Sequence, residues 1–115
     1  MISQKYRFHG RSSLKYVFAN GNNERSDLFS IKWITNPYRK HPRVAVIVSK
    51  KVYKSAVKRN KIRRRIYTIT QPFLESVSPI DIAVNVYSPD TLTISQDELS
   101  RQLLPILDKI KIETS

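Results

Sequence analysis

Three stretches of the chain alternate with a period of two. Residues 28–35 place Phe29, Ile31 and Trp33 on one face and Ser30 and Lys32 on the other. Residues 43–49 alternate Val44, Val46 and Val48 with Ala45, Ile47 and Ser49. Residues 80–87 alternate Ile80, Ile82, Val84 and Val86 with Asp81, Ala83, Asn85 and Tyr87. Successive side chains of a strand point to opposite faces, so the pattern predicts three half-buried strands. Residues 36–42, which carry Pro37 and Pro42 among polar side chains, suit a hairpin loop between the first two.

Elsewhere the apolar spacing is helical. Leu14, Val17 and Phe18 fall at i, i+3 and i+4, with Ser12 or Ser13 as the cap and Gly21 at the C-terminal stop. Ile62, Ile66, Ile69 and Phe73 share one stripe of a second helix, which Pro72 is expected to end. Ser95 and Glu98 form a capping box ahead of a third, whose apolar side is Leu99, Leu103, Ile106 and Ile110. Pro105 lacks an N–H and predicts a kink or a restart there. The order helix, strand, strand, helix, strand, helix describes an α/β (α+β) two-layer sandwich with a small mixed, mainly antiparallel sheet. Residues 1–10 read as an irregular basic arm, and residues 1–115 as one domain, since domains typically run to about 100–150 residues.

Charge sharpens this picture. The net charge is +12, but residues 1–65 hold 18 Lys or Arg against two acids, a balance of +16, while residues 66–115 hold 3 against 7, a balance of −4. Residues 50–65 pack nine of the cations into sixteen positions with no acid. On a helical wheel Lys54, Lys58, Lys61 and Arg65 form a stripe roughly 80° round from the isoleucines, and Arg63, Arg64 and Asn60 cover much of the remainder. Like charges at i, i+4 repel, so a helix built this way is expected to meet a polyanion that neutralises it. Nucleic acid fits better than a membrane surface, given the folded core and interleaved aromatics. Asn60 suits a base or sugar edge and a local cap equally well.

The other candidate chemistry is sparse. There is no cysteine, hence no disulfide or thiolate metal site, which fits a reducing compartment. No apolar run approaches the roughly 20 residues that span a bilayer, and the first ten residues lack the apolar core of a signal peptide, so a soluble cytoplasmic protein without a membrane partner is expected. His9 and His41 have no evident carboxylate or serine partner, and the acids Asp81, Asp90, Asp97 and Glu98 are scattered. Two glycines, Gly10 and Gly21, make no phosphate-cradling loop. No catalytic or metal-ligating residue is expected in this chain, so any enzymatic activity must come from a partner. Trp33, alternating with Phe29 and Ile31, reads as core, and Tyr38, Arg39, Lys40 and His41 as solvated loop.

At this point the residues show a resemblance. Ser49-Lys50-Lys51, followed by Ala56-Val57-Lys58-Arg59-Asn60-Lys61-Ile62-Arg63-Arg64, resembles the signature of the bacterial ribonuclease P protein component. Leu14-Lys15-Tyr16-Val17-Phe18 with the trailing Gly21 is similar to that family's first helix, and length, basicity and element order agree over nearly the whole chain. Three positions depart from the family pattern: Leu14 where an aromatic is common, Tyr53 where glycine is common, and Tyr67 where a cation is common, with Arg65 as its substitute.

The resemblance implies a left-handed β-α-β crossover through the basic helix, against the strong right-handed preference of such connections. It implies that a large RNA partner, using divalent metal such as Mg2+, cleaves precursor transfer RNA to make the mature 5′ end, with no cofactor bound stably by the protein. Lys50, Lys51, Lys54, Lys58, Arg59, Asn60, Lys61, Arg63, Arg64 and Arg65 would dock on the catalytic RNA. Leu14, Phe18, Ser30 and Lys32 would line a cleft for the single-stranded 5′ leader, stacking bases without regard to sequence; Phe18 also suits plain core packing. The rival is a structural RNA-binding protein of ribosomal or chaperone type, which needs the cationic helix and no such cleft. A helix-turn-helix DNA-binding protein is the weakest reading, because strands flank the basic segment.

Overall fold

A computed structural model of the chain describes residue 6, residues 11–36 and residues 38–114. The elements are α1 (Arg11–Asn20), β1 (Asn22–Arg25), β2 (Phe29–Thr35), β3 (Arg43–Val48), α2 (Ala56–Leu74), β4 (Ile80–Val86), α3 (Asp90–Thr93) and α4 (Gln96–Thr114). They form a four-stranded sheet in the order β1-β2-β4-β3, as the α+β sandwich reading requires. β1 and β4 each run antiparallel to β2, while β3 and β4 are parallel neighbours joined through α2.

The expected hairpin between β2 and β3 is absent, because β4 lies between them. β4 is buried at every position except Asn85, which is half-buried, and such a strand must have neighbours on both sides. The turn after β2 commits to this arrangement: Asn36 N–H donates to the Pro79 carbonyl at 3.1 Å, just ahead of β4. β1, four polar residues without alternation, was invisible to the pattern, and it is held to α4 by a 2.7 Å ion pair between Glu24 and Lys109.

One sheet face carries the core. Phe29, Ile31 and Trp33 of β2, Val44, Val46 and Val48 of β3, and the even-numbered apolar residues of β4 cluster with Ile62, Ile66 and Ile69 of α2 and Leu99, Leu103 and Ile110 of α4. Each fully buried side chain of this kind contributes about 1.5–3 kcal/mol. Trp33 is core as its alternation predicts, although its indole N–H is buried with no acceptor among the described residues.

The helix ends expected at the two prolines do not occur. Pro72 lies inside α2, which continues to Leu74, and Pro105 lies inside α4 without a restart. A proline removes one helical hydrogen bond, and here Leu74, Leu107 and Ile110 beyond the prolines are fully buried, so packing carries the helix through. α1 starts at Arg11, which places Ser12 and Ser13 within its first turn instead of at its cap. Ser95 caps α4 as expected, its Oγ accepting from Glu98 N–H at 3.1 Å, while the Glu98 carboxylate pairs with Arg101. Of the arm expected over residues 1–10, only Tyr6 is described; it is buried, its ring edge-on to His41 with centroids 6.2 Å apart. His9 and Pro37 lie outside the described residues.

Candidate nucleic-acid interface

The basic segment is a loop and a helix in succession. Residues 50–54 form the turn after β3, where Val52 N–H donates to Ser49 O at 3.1 Å. α2 then starts at Ala56, capped by Ser55, whose Oγ accepts from Lys58 N–H at 3.3 Å. Lys50, Lys51 and Lys54 therefore precede the positive end of the helix dipole in the chain, and the remaining cations follow on the first three turns. Burial of Ile62, Ile66 and Ile69 fixes which side of α2 faces outward.

The structure divides these cations into two kinds. Lys50, Lys51, Lys54, Lys61 and Arg64 are exposed and make no intramolecular hydrogen bond or ion pair among the described residues; Lys58, also exposed, sits with Nζ 5.3 Å from the centre of the Tyr53 ring. Arg59, Arg63 and Arg65 are half-buried and bind the chain itself. Arg59 donates to the Tyr53 and Lys54 carbonyls at 2.9 and 2.7 Å, which folds the basic loop back on the helix. Arg63 donates to Val46 O of β3 at 3.3 Å and to Asn60 Oδ1 at 2.7 Å, so the Asn60 amide positions an arginine. Arg65 donates to the Thr91 and Leu92 carbonyls at 2.8 and 2.6 Å, to Ile94 O, and to Gln96 Oε1 at 3.1 Å.

Two of the departures have visible local surroundings. Arg65 is committed to the segment around α3, and Tyr67, where a cation is common, packs half-buried against the core. Tyr53 stiffens the loop that a glycine would leave pliable: its OH donates to Pro89 O at 3.1 Å and its ring lies beneath Lys58.

The second surface lies on the other face of the sheet. Lys32 alternates with Ile31 and Trp33, so it points away from the core, and its Nζ donates to Phe18 O at 2.9 Å while standing 5.6 Å from the Phe18 ring centre. α1 consequently packs across this face, seated by the fully buried Val17 and stopped by Gly21, whose N–H donates to Val17 O at 2.8 Å. Leu14, Phe18, Ser30 and Lys32 are all half-buried, and Lys32 and Phe18 are in direct contact. Sequence reasoning missed the continuation of this surface. Asn85 is the cross-strand partner of Ser30, and Ile47 is the partner of Asn85, so the three form one half-buried row across β2, β4 and β3. Beyond the end of β4 the Arg25 guanidinium lies 5.6 Å from the Tyr87 ring centre, and Tyr87 OH donates to Phe29 O at 3.1 Å. Asn85 sits on the polar side of a recognisable strand, but only the register brings it beside Ser30.

The remaining chemistry is structural. Arg43 and Asp81, with side chains 6% and 5% exposed, form a bidentate pair at 2.8 and 2.7 Å, and Asn36 Nδ2 donates to Asp81 Oδ2 at 2.9 Å. Among the described residues no three His, Asp or Glu side chains converge as a metal-binding group, and no helix is long and apolar enough to cross a membrane.

Comparison with known proteins agrees with this construction. Residues 2–111 match the Ribonuclease P family model. The chain is 30% identical over 113 residues to the ribonuclease P protein component of a Pseudanabaena species, covering 97% of each, and 26% identical to that of a Synechococcus species, covering 100% of this chain and 99% of the relative. The fold superimposes on the Staphylococcus aureus RNase P protein with a TM-score of 0.80 at 24% identity, covering 92% of this chain and 95% of that one. The Thermotoga maritima RNase P protein gives 0.77 at 20% identity, covering 90% and 96%. With a cationic helix on a four-stranded sandwich and a family match along nearly its entire length, the chain belongs to the family of ribonuclease P protein components, subunits of an endoribonuclease that serves the 5′ processing of transfer RNA.

Proposed function

We propose that the two surfaces divide the work of a ribonuclease P subunit between its RNA and its substrate. Lys50, Lys51, Lys54, Lys58, Lys61 and Arg64 dock on the phosphates of the catalytic RNA, while Arg59, Asn60, Arg63 and Arg65 hold that surface in shape. The cleft of Leu14, Phe18, Ser30 and Lys32, extended by Asn85 and Ile47, receives the single-stranded 5′ leader of precursor transfer RNA. Cleavage itself belongs to the RNA with divalent metal, Mg2+ in the cytoplasm.

The observation that carries this reading is the coexistence of a cationic helix with a separate half-buried surface on the other sheet face, where the Phe18 ring meets Lys32. A structural RNA-binding protein needs only the first. Six phosphate contacts would make docking fall about a thousandfold between low and physiological salt. Base stacking is tolerant of sequence and worth about 1–3 kcal/mol per base, as leaders of varied sequence require. The test is reconstitution with a bacterial ribonuclease P RNA at low magnesium. The protein should stimulate cleavage, and Phe18→Ala should weaken binding of precursor about fivefold or more while leaving mature transfer RNA unchanged. Failure to stimulate, or equal loss for both RNAs, overturns the assignment.

A further inference from the structure

α1 has two flanks, and only one of them belongs to the cleft. With Val17 turned down onto the sheet, a rotation of about 100° per residue puts Leu14 and Phe18 to one side and Tyr16 to the other. On that opposite side lies a separate cavity of about 440 Å³, lined by Tyr16, Ile34, Thr35, Asn36, Tyr38 and Asp81. Its size falls in the usual range for small-molecule pockets, roughly 300–1,000 Å³.

The lining has the chemistry of a nucleotide site. Tyr16 and Tyr38 are 58% and 97% exposed, large rings held out in water at the wall and the rim. Ile34 provides an apolar floor. Asn36 Nδ2 is committed to Asp81, which fixes the amide and leaves Oδ1 as an acceptor, and the Thr35 hydroxyl has no partner among the described residues. The Asp81 carboxylate, otherwise hostile to an anion, is already neutralised by Arg43. Arg39 and Lys40, exposed and next in sequence to Tyr38, bring cations into the adjoining loop, and residues 28–74 contain no Asp or Glu at all. Aromatic side chains with an amide beside them and cations in the adjoining loop suit a stacked base and its phosphate.

We propose that this pocket binds one unpaired ribonucleotide, a second single-strand contact independent of the leader cleft. It rests on RNA being the partner, and not on which RNA the cleft holds. The loop segment that reads as merely solvated in the sequence is then a working part of the surface.

The test titrates the full chain with a short single-stranded oligouridine while following NMR signals. The Asn36 amide and Ile34 methyls report the pocket, and the Asn85 amide and Ile47 methyls report the cleft. Both sets should shift. Tyr16→Ala and Tyr38→Ala, at exposed positions that leave the fold intact, should each weaken the Asn36 response about fivefold or more and spare Asn85, with Phe18→Ala doing the reverse. A silent pocket with a responsive cleft overturns the proposal alone; a responsive pocket with a silent cleft overturns the leader assignment alone. An Asn36 response unchanged in both tyrosine variants also overturns the proposal. In the holoenzyme, a photo-crosslinking amino acid at position 38 should attach to the catalytic RNA or to the precursor leader, which identifies the source. Attachment to neither overturns the site.

Discussion

Arg64 and Arg65 are adjacent cations with opposite assignments, and replacing each in turn tests the division of the basic helix. Arg65 gives four of its five N–H groups to Thr91, Leu92, Ile94 and Gln96. Hydrogen bonds to a charged group are worth about 1.5–3 kcal/mol each when counted singly, but four on one fork are not additive. Arg65→Met keeps the apolar stem and lets water reach some of the carbonyls, so a loss of about 2–4 kcal/mol follows. At about 4 °C per kcal/mol for a chain of this size, the melting temperature should drop by about 8–16 °C. Arg64→Ala removes an exposed cation whose side chain has no intramolecular partner among the described residues, so stability should stay within about 0.5 kcal/mol. Its effect appears in RNA binding instead, where the slope of log affinity against log salt should shrink by about 0.7–0.9, the share of one phosphate. Thermal unfolding by circular dichroism and filter binding at several salt concentrations measure both quantities. If Arg65→Met melts within about 2 °C of the parent and still loses a phosphate's worth of slope, the guanidinium lies on RNA and the division is wrong.

Other perturbations probe the scaffold beneath the two surfaces. A Cβ at Gly21 would stand 2.6 Å from Val17 O and 2.9 Å from Trp33 O, both backbone atoms, so Gly21→Ala should cost about 1–3 kcal/mol in urea unfolding; a loss below about 0.5 kcal/mol would show the junction is pliable. Asp81→Ala leaves the buried Arg43 without its carboxylate and should cost about 3–5 kcal/mol, while Arg43→Met combined with Asp81→Leu should recover most of that. A double variant no more stable than Asp81→Ala would refute this account of the pair.

Much of this fold is legible in the sequence because its signals are local. The alternation of β2, β3 and β4 and the isoleucine stripe of α2 each depend on residues a few positions apart, and the structure buries the faces they predict. The false hairpin shows where locality ends. Residues 36–42 announce a reversal, but which strand lies alongside β2 is decided by the doubly buried β4, more than forty positions away. Asn22-Asn23-Glu24-Arg25 has no pattern of its own and is a strand only because β2 offers it a partner. The interface was half legible for the same reason. A wheel places Arg64 and Arg65 as neighbouring cations, whereas the carbonyls that claim one of them come from residues 91–94.

The contact between Arg63 and Val46 O has a consequence beyond RNA. A sheet with unpaired outer strands invites strand addition from other molecules, the usual first step toward aggregation. Here the Arg63 guanidinium donates to the Val46 carbonyl of β3, one outer strand, and β1 at the opposite rim is four polar residues carrying Glu24 and Arg25. The same arginine that shapes the docking helix thus shields the rim of the sheet in a chain that has yet to meet its RNA.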